Sequence, residues 1–276
     1  MRETVAQRLL EVPGGLAAAP LRRFLLAHVV PTGSGPVQVS VDLGAGPRCE
    51  TVALTAPADV LDEVEAVVRR WLDLDADHVS ADAWLATDPL LAPLVAARPG
   101  LRFPHAVDGA ESAVLTVLGQ QVSLAAACTF AGRLVAAYGT PVETLVAFPG
   151  PAALAAAGPE EIRAVTGITR ARARTVHALA TALADGLDLD AAVGDPLRAA
   201  AARAELLALP GIGPWTADYV ALRVLGDADA FLSGDLVLRR ALGGTSAKEA
   251  TARAEPWRPW RGHALLHLWT AEVFAS

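Results

Sequence analysis

Between Leu206 and Leu242 the chain reads LLALPGIGPWTADYVALRVLGDADAFLSGDLVLRRAL, and this stretch restricts the fold more than any other. Leu206 to Leu209 end a helix that runs into Pro210-Gly211-Ile212-Gly213-Pro214. Glycine at 211 and 213 admits φ > 0 and leaves backbone N–H groups uncovered. A second helix starts at once, with Trp215, Tyr219 and Leu222 at helical spacing. Two helices joined by a tight glycine turn put amides at a helix N-terminus, a ready site for an anion such as a phosphodiester. Next come Asp227-Ala228-Asp229, the apolar pair Phe231-Leu232, and Ser233-Gly234-Asp235. Asp235 opens a helix over residues 236–242. A carboxylate there lies in a favourable dipole field and can stabilise developing positive charge. A helix-opening Asp is most often only a cap, so spacing alone leaves both roles open.

A chain of 276 residues holds one large domain or two small ones with ample core. It is 53% hydrophobic, mostly Ala, Leu and Val, yet no apolar run reaches membrane-spanning length without a charge or proline. The opening MRETVAQRLLEVPGG lacks signal-peptide architecture, so a cytoplasmic protein without a membrane partner is expected. Cys49 and Cys128 are too few for a disulfide framework or a four-cysteine iron–sulfur cluster. A net charge of −7 argues against a generic nucleic-acid coat protein. It leaves room for DNA contact through backbone amides and local basic patches.

Residues 1–80 read as a small α/β unit. Val37 to Leu43 alternates as a strand, residues 50–54 are its partner across Gly44-Ala45-Gly46-Pro47, and residues 59–72 form an amphipathic helix. Helices are expected over 82–97, 111–118, 124–138, 144–148, 160–165, 170–185 and 197–207, separated by Gly/Pro breaks, so residues 81–276 form an all-α domain. The expected class is α+β, mainly α. Two loops stand out. Gly119-Gln120-Gln121-Val122-Ser123 breaks a helix, with Ser123 placed to cap the next. Arg163, Arg170, Arg172 and Arg174 cluster near Gly167 and present either a phosphate-facing or a merely solvated surface. His263 and His267 are i, i+4 without a third ligand, which favours a structural role. Aromatic residues at helical spacing, such as Trp215 and Tyr219, are usually core.

LPGIGPWTADY with the downstream Gly234-Asp235 resembles the helix-hairpin-helix/Gly-Pro-Asp superfamily of DNA base-excision glycosylases. PWRPWRGHALLHLW (256–269) and LGQQVSLAAA (118–127) are similar to its AlkA-like, 3-methyladenine DNA glycosylase II branch. The resemblance covers residues 85–275. It implies an N-terminal α+β domain of AlkA type, here with a shortened or divergent lead-in strand, before the helix-hairpin-helix domain. It also implies a monofunctional enzyme that flips alkylated purines out of double-stranded DNA and hydrolyses the N-glycosidic bond.

The same resemblance makes Asp235 the catalytic carboxylate and Trp215, Tyr219 and Trp269 the lining of the base pocket. Gly211, Gly213 and Thr216 would contact phosphate through backbone N–H groups. Gln121 stands where relatives push a residue into the duplex, and a capping loop with a solvated Gln is the alternative. Carbonyls of Leu207, Leu209 and Ile212 would hold a structural Na+ or K+, with no cofactor required. Trp215 stands where lyase relatives have Lys, which removes the Schiff-base route. A monomer, cytoplasmic and nucleoid-associated, is expected. The competing readings are a non-enzymatic helix-hairpin-helix DNA-binding module, and a glycosylase for uracil, hypoxanthine or bulky adducts.

Overall fold

A computed structural model describes residues 5–21, 25–43 and 46–273. The chain forms two compact units, one of Met1–Val107 with Asp227–Ser276 and the other of Asp108–Gly226. This division differs from the 1–80/81–276 boundary read from sequence. The C-terminal helices belong to the first unit by packing, which chain order does not reveal.

The first unit opens with β1 (Val5–Leu21), β2 (Leu25–Val30), β3 (Val37–Asp42) and β4 (Gly46–Pro57), an antiparallel sheet in the order β1-β4-β3-β2. The expected β3–β4 pairing is present, with Val41 opposite Leu54; Gly44 and Ala45 of the intervening turn lie outside the described residues. The lead-in strand β1 runs over 17 residues. Pro13, Gly14, Gly15 and Pro20 interrupt its alternation, and the register shifts between Glu11 and Leu16 and between Ala17 and Leu21. An edge position tolerates such residues, so the strand is hard to read locally. Helix α1 (Leu61–Trp71) lays Leu61, Val64 and Val68 on the sheet core of Val39, Val41, Val52 and Leu54. The expected helix over 82–97 is instead α2 (His78–Leu85) and α3 (Ala92–Ala97). Asp88 precedes Pro89, which disfavours helix there, and its carboxylate accepts from the Leu90 and Leu91 amides to make a turn.

The second unit contains α4 (Gly109–Leu118), α5 (Leu124–Tyr138), α6 (Pro151–Thr166), α7 (Arg170–Ala184), α8 (Pro196–Ala208) and α9 (Pro214–Arg223). Asp108, Ser123, Thr169 and Asp195 cap four of these helices through their side chains. The helix expected over 144–148 is instead a hairpin of β5 (Thr140–Val142) and β6 (Leu145–Ala147), so the unit is not purely helical. Five residues with two β-branched side chains favour a strand over a helical turn. The segment 160–165 is the end of the longer α6, kinked at Gly158 with φ 75°. Val117, Leu134, Leu154, Ile162, Leu179 and Leu206 fill the core.

The chain then returns to the first unit with α10 (Leu236–Ala241), α11 (Ala247–Ala254) and α12 (Arg261–Val273), α12 packing against α3 and α10. The Asp229 carboxylate accepts from Arg261 at 2.8 and 2.9 Å and also from Arg258, and the Trp257 indole donates to Asp88 at 2.7 Å. Arg258 and Arg261 therefore hold the loop that leads to Asp235. Among the described residues no helix is long and apolar enough to cross a membrane.

His263 is buried on α12, with Asp73, His267, His105 and Asp82 around it. Burial outweighs Asp73 and pushes its pKa down, and His267 and His105 add to that direction. The unfolded chain therefore takes a proton at a higher pH than the folded one. This contribution to stability is complete above the ordinary histidine value of ~6.5 and is lost as pH falls toward the folded pKa. We expect the thermal midpoint to drop between pH 7.5 and pH 5, and His263→Phe to flatten that slope. An equal slope in both proteins would remove His263 as its source.

Candidate active site

In the second unit, α8 ends in a turn closed by Leu209 N–H to Leu206 C=O (3.1 Å) and Ile212 N–H to Leu209 C=O (3.2 Å). Gly211 has φ 81°, and a Cβ there would lie 2.0 Å from Thr175 Oγ1 on α7. Only glycine fits. Gly213 is the N-cap of α9 and Pro214 its first residue. Gly211 and Gly213 are exposed, so the amide-rich end of this turn faces solvent. Thr216 is different: it is 4% exposed, and its hydroxyl accepts from Gln120 Nε2 at 2.9 Å. Leu207 lies in the last turn of α8, where carbonyls lack intrahelical partners.

Trp215 and Tyr219 stack on one face of α9, ring centroids 5.2 Å apart and planes inclined by 20°. Both are half-buried, presenting aromatic surface instead of losing it to the core. Gln121 is exposed with φ 52°, and Ser123 caps α5 as expected. The arginine cluster disperses. Arg163 and Arg170 pair with Glu160 at 3.9 and 3.3 Å, Arg174 is exposed, and Arg172 donates to the Gln120 carbonyl.

In the first unit, Asp235 is the N-cap of α10. Its Oδ1 accepts from the Leu238 amide at 2.9 Å and from the Trp269 indole Nε1 at 3.0 Å. Its own N–H donates to the Leu232 carbonyl at 2.9 Å, closing the turn that aims the side chain. The structure thus joins two residues from the predicted site, and Trp269 emerges as a donor to the carboxylate as well as an aromatic surface. His263 and His267 are buried, and among the described residues no group of three or more His, Cys, Asp or Glu could hold a metal. Sequence reasoning missed Gln120. Its one local signal was a second Gln beside the one singled out.

Residues 114–258 match the HhH-GPD superfamily of base excision DNA repair proteins. The chain belongs to that family. Residues 7–108 match the AlkA N-terminal domain, so the strand-rich opening is of that type. This HhH-GPD chain is 49% identical over 212 residues to a Mycobacterium tuberculosis protein named "Probable bifunctional transcriptional activator/DNA repair enzyme AlkA", covering 73% of this chain and 41% of that one. It is 39% identical over 185 residues to the DNA-3-methyladenine glycosylase 2 of Escherichia coli, covering 66% of this chain and 64% of the relative. The chain therefore spans less than two thirds of the length of either relative. Among solved structures, the 3-methyladenine DNA-glycosylase of Archaeoglobus fulgidus superposes with a TM-score of 0.78 at 20% identity, over 98% of this chain and 99% of that one. At that identity the likeness concerns the fold. The Schizosaccharomyces pombe 3-methyladenine DNA glycosylase in complex with abasic DNA gives 0.58 at 20% identity, over 70% of this chain and 97% of that one.

Proposed function

We propose that this chain is a monofunctional DNA glycosylase that hydrolyses alkylated purines out of duplex DNA and leaves an abasic site. The observation that carries the reading is the Asp235 carboxylate, held at a helix start with the Trp269 indole N–H on the same oxygen. An N3- or N7-alkylated purine is cationic and already a good leaving group. The protein then needs chiefly an anion to stabilise the oxocarbenium-like sugar as the bond breaks, and Asp235 supplies it. The same carboxylate orients or deprotonates the attacking water.

The stacked Trp215 and Tyr219 offer a π-face to the cationic base, worth ~0.5–2 kcal/mol. Trp215 has no amine, so this position forms no Schiff base and supports no lyase step. Gly211, Gly213 and Thr216 take the phosphate through backbone amides. Carbonyl oxygens of Leu207, Leu209 and Ile212 are the hard donors a Na+ or K+ requires, and the ion would add positive charge beside the phosphate. The protein acts as a cytoplasmic monomer at the nucleoid.

The test is base release from duplexes holding a single N-alkylpurine, uracil or hypoxanthine, with abasic sites revealed by alkali. Release of the alkylpurine is expected. Intact duplex binding without release of any base would favour the binding-module reading. Trp269→Phe keeps an aromatic face but removes the N–H donor to Asp235. Hydrogen bonds to charged groups contribute ~1.5–3 kcal/mol, so the single-turnover rate should fall about tenfold or more while binding of abasic duplex persists. An unchanged rate would separate the indole N–H from the chemistry.

A further inference from the structure

Gly211 and Thr216 stand on either side of the turn that opens α9, and one side chain bridges them. Gln120 Nε2 donates to the Gly211 carbonyl at 3.2 Å and to Thr216 Oγ1 at 2.9 Å, which occupies both hydrogens of its amide. Gln120 is itself held from behind. Its N–H donates to the Val117 carbonyl at 3.3 Å, and its carbonyl accepts from Arg172 on α7. The same helix supplies Thr175, which lies against Gly211. All of these residues belong to the Asp108–Gly226 unit.

The bridge acts on the softest part of the hairpin. Gly211 has φ 81°, and glycine leaves its neighbouring peptide groups freer to rotate than any other residue. The peptide joining Gly211 to Ile212 is fastened at both ends, its carbonyl by Gln120 and its N–H by the Leu209 carbonyl at 3.2 Å. Without the first bond the Gly211 carbonyl can turn toward the exposed side, where its negative end opposes an anion. Thr216 lies in the first turn of α9, where N–H groups lack intrahelical partners. Tying Thr216 to Gly211 fixes the spacing between the turn and those amides.

We propose that Gln120 is a positioning residue for phosphate. It presets the hairpin amides and acts through Gly211 and Thr216, since both of its amide hydrogens are already engaged within the protein. The inference rests on the reading above that the hairpin holds phosphate. Presetting removes an ordering cost from binding, so its loss appears in affinity and not in the chemical step.

The experiment uses the full chain and a tetrahydrofuran duplex, which requires no catalysis. Gln120→Met keeps the length but has no donor, and should weaken binding about tenfold. The single-turnover rate at saturating alkylpurine duplex should stay within about twofold of wild type. Duplex-induced shifts of the Gly211, Gly213 and Thr216 amide resonances should shrink, which a purely stabilising bond would not cause in a folded variant. Thr216→Val removes the acceptor, so the two changes together should cost less than their sum. Thr216→Ser, which keeps the hydroxyl, should bind like wild type. Binding and amide shifts of Gln120→Met like those of wild type would overturn the proposal, as would strict additivity, which would mean that Gln120 acts independently of Thr216. Gly211→Ala is measured in parallel. Undiminished affinity there, with no amide shifts in wild type, would sink the phosphate reading and the role of Gln120 with it. Weakened Gly211→Ala beside an unaffected Gln120→Met would sink the role of Gln120 alone.

Discussion

Asp235→Asn is expected to cut single-turnover release of an N-alkylpurine by at least ~100-fold, about 2.7 kcal/mol of barrier, while leaving the fold and duplex binding nearly intact. The substitution is informative because of where Asp235 sits. Its Oδ1 caps the Leu238 amide and receives the Trp269 indole N–H. Asn can place a carbonyl oxygen in the same position, and Asn and Asp are about equally good N-caps. The interaction with the helix dipole is lost, ~0.3–1 kcal/mol at most. What disappears otherwise is the charge, and charge is what a cationic sugar requires. Asp235→Ala would remove the cap as well, a further ~1 kcal/mol of stability, so its lower activity would mix two causes. Binding of a tetrahydrofuran duplex, measured beside the rate, keeps affinity and chemistry apart. Equal rates for wild type and Asp235→Asn would take this carboxylate out of the mechanism.

Elements whose determinants are local were legible in the sequence. Helices α5, α7 and α8 begin where Ser123, Thr169 and Asp195 accept hydrogen bonds from the next turn, and Asp235 does the same for α10. Such signals lie within four residues, as does the alternation of Val37, Val39 and Val41 in β3. The unread features depend on distant partners. β1 owes its strand to β4, since Pro13, Gly14 and Pro20 supply no period-2 pattern of their own. The bonds from Gln120 to Gly211 and Thr216 span 91 and 96 residues, and the bond from Trp269 to Asp235 spans 34. No periodicity announces contacts of that kind. The residue types at the site could therefore be read, but the hydrogen bonds that orient them could not. This explains why Trp269, expected as an aromatic wall, is also a donor to Asp235.

Gly211→Ala should be the most damaging single-methyl change in the hairpin. Two independent costs meet at this position. The backbone has φ 81°, which a Cβ opposes by ~1–2 kcal/mol. The new carbon would also lie 2.0 Å from Thr175 Oγ1 and 3.1 Å from Thr175 Cβ and Cγ2. These are atoms of a short, β-branched side chain on α7, whose hydroxyl already donates to the Ala171 carbonyl at 3.2 Å, so they have little room to retreat. Overpacking of this sort typically costs ~1–3 kcal/mol, giving ~2–5 kcal/mol in all, measured as a shift in urea unfolding. The backbone relieves the clash by moving the turn, which also carries the Gln120 bond and the exposed amides proposed to hold phosphate. Duplex affinity should then fall at urea-free conditions where the variant is still folded. Adding Thr175→Ala tests the partition. It removes Oγ1 and Cγ2 but leaves Cβ and the φ cost, so a double-mutant cycle should return ~1–2 kcal/mol and no more. Full recovery would make the clash the whole cause, and a Gly211→Ala variant as stable as wild type would show that the turn can tolerate a side chain at 211.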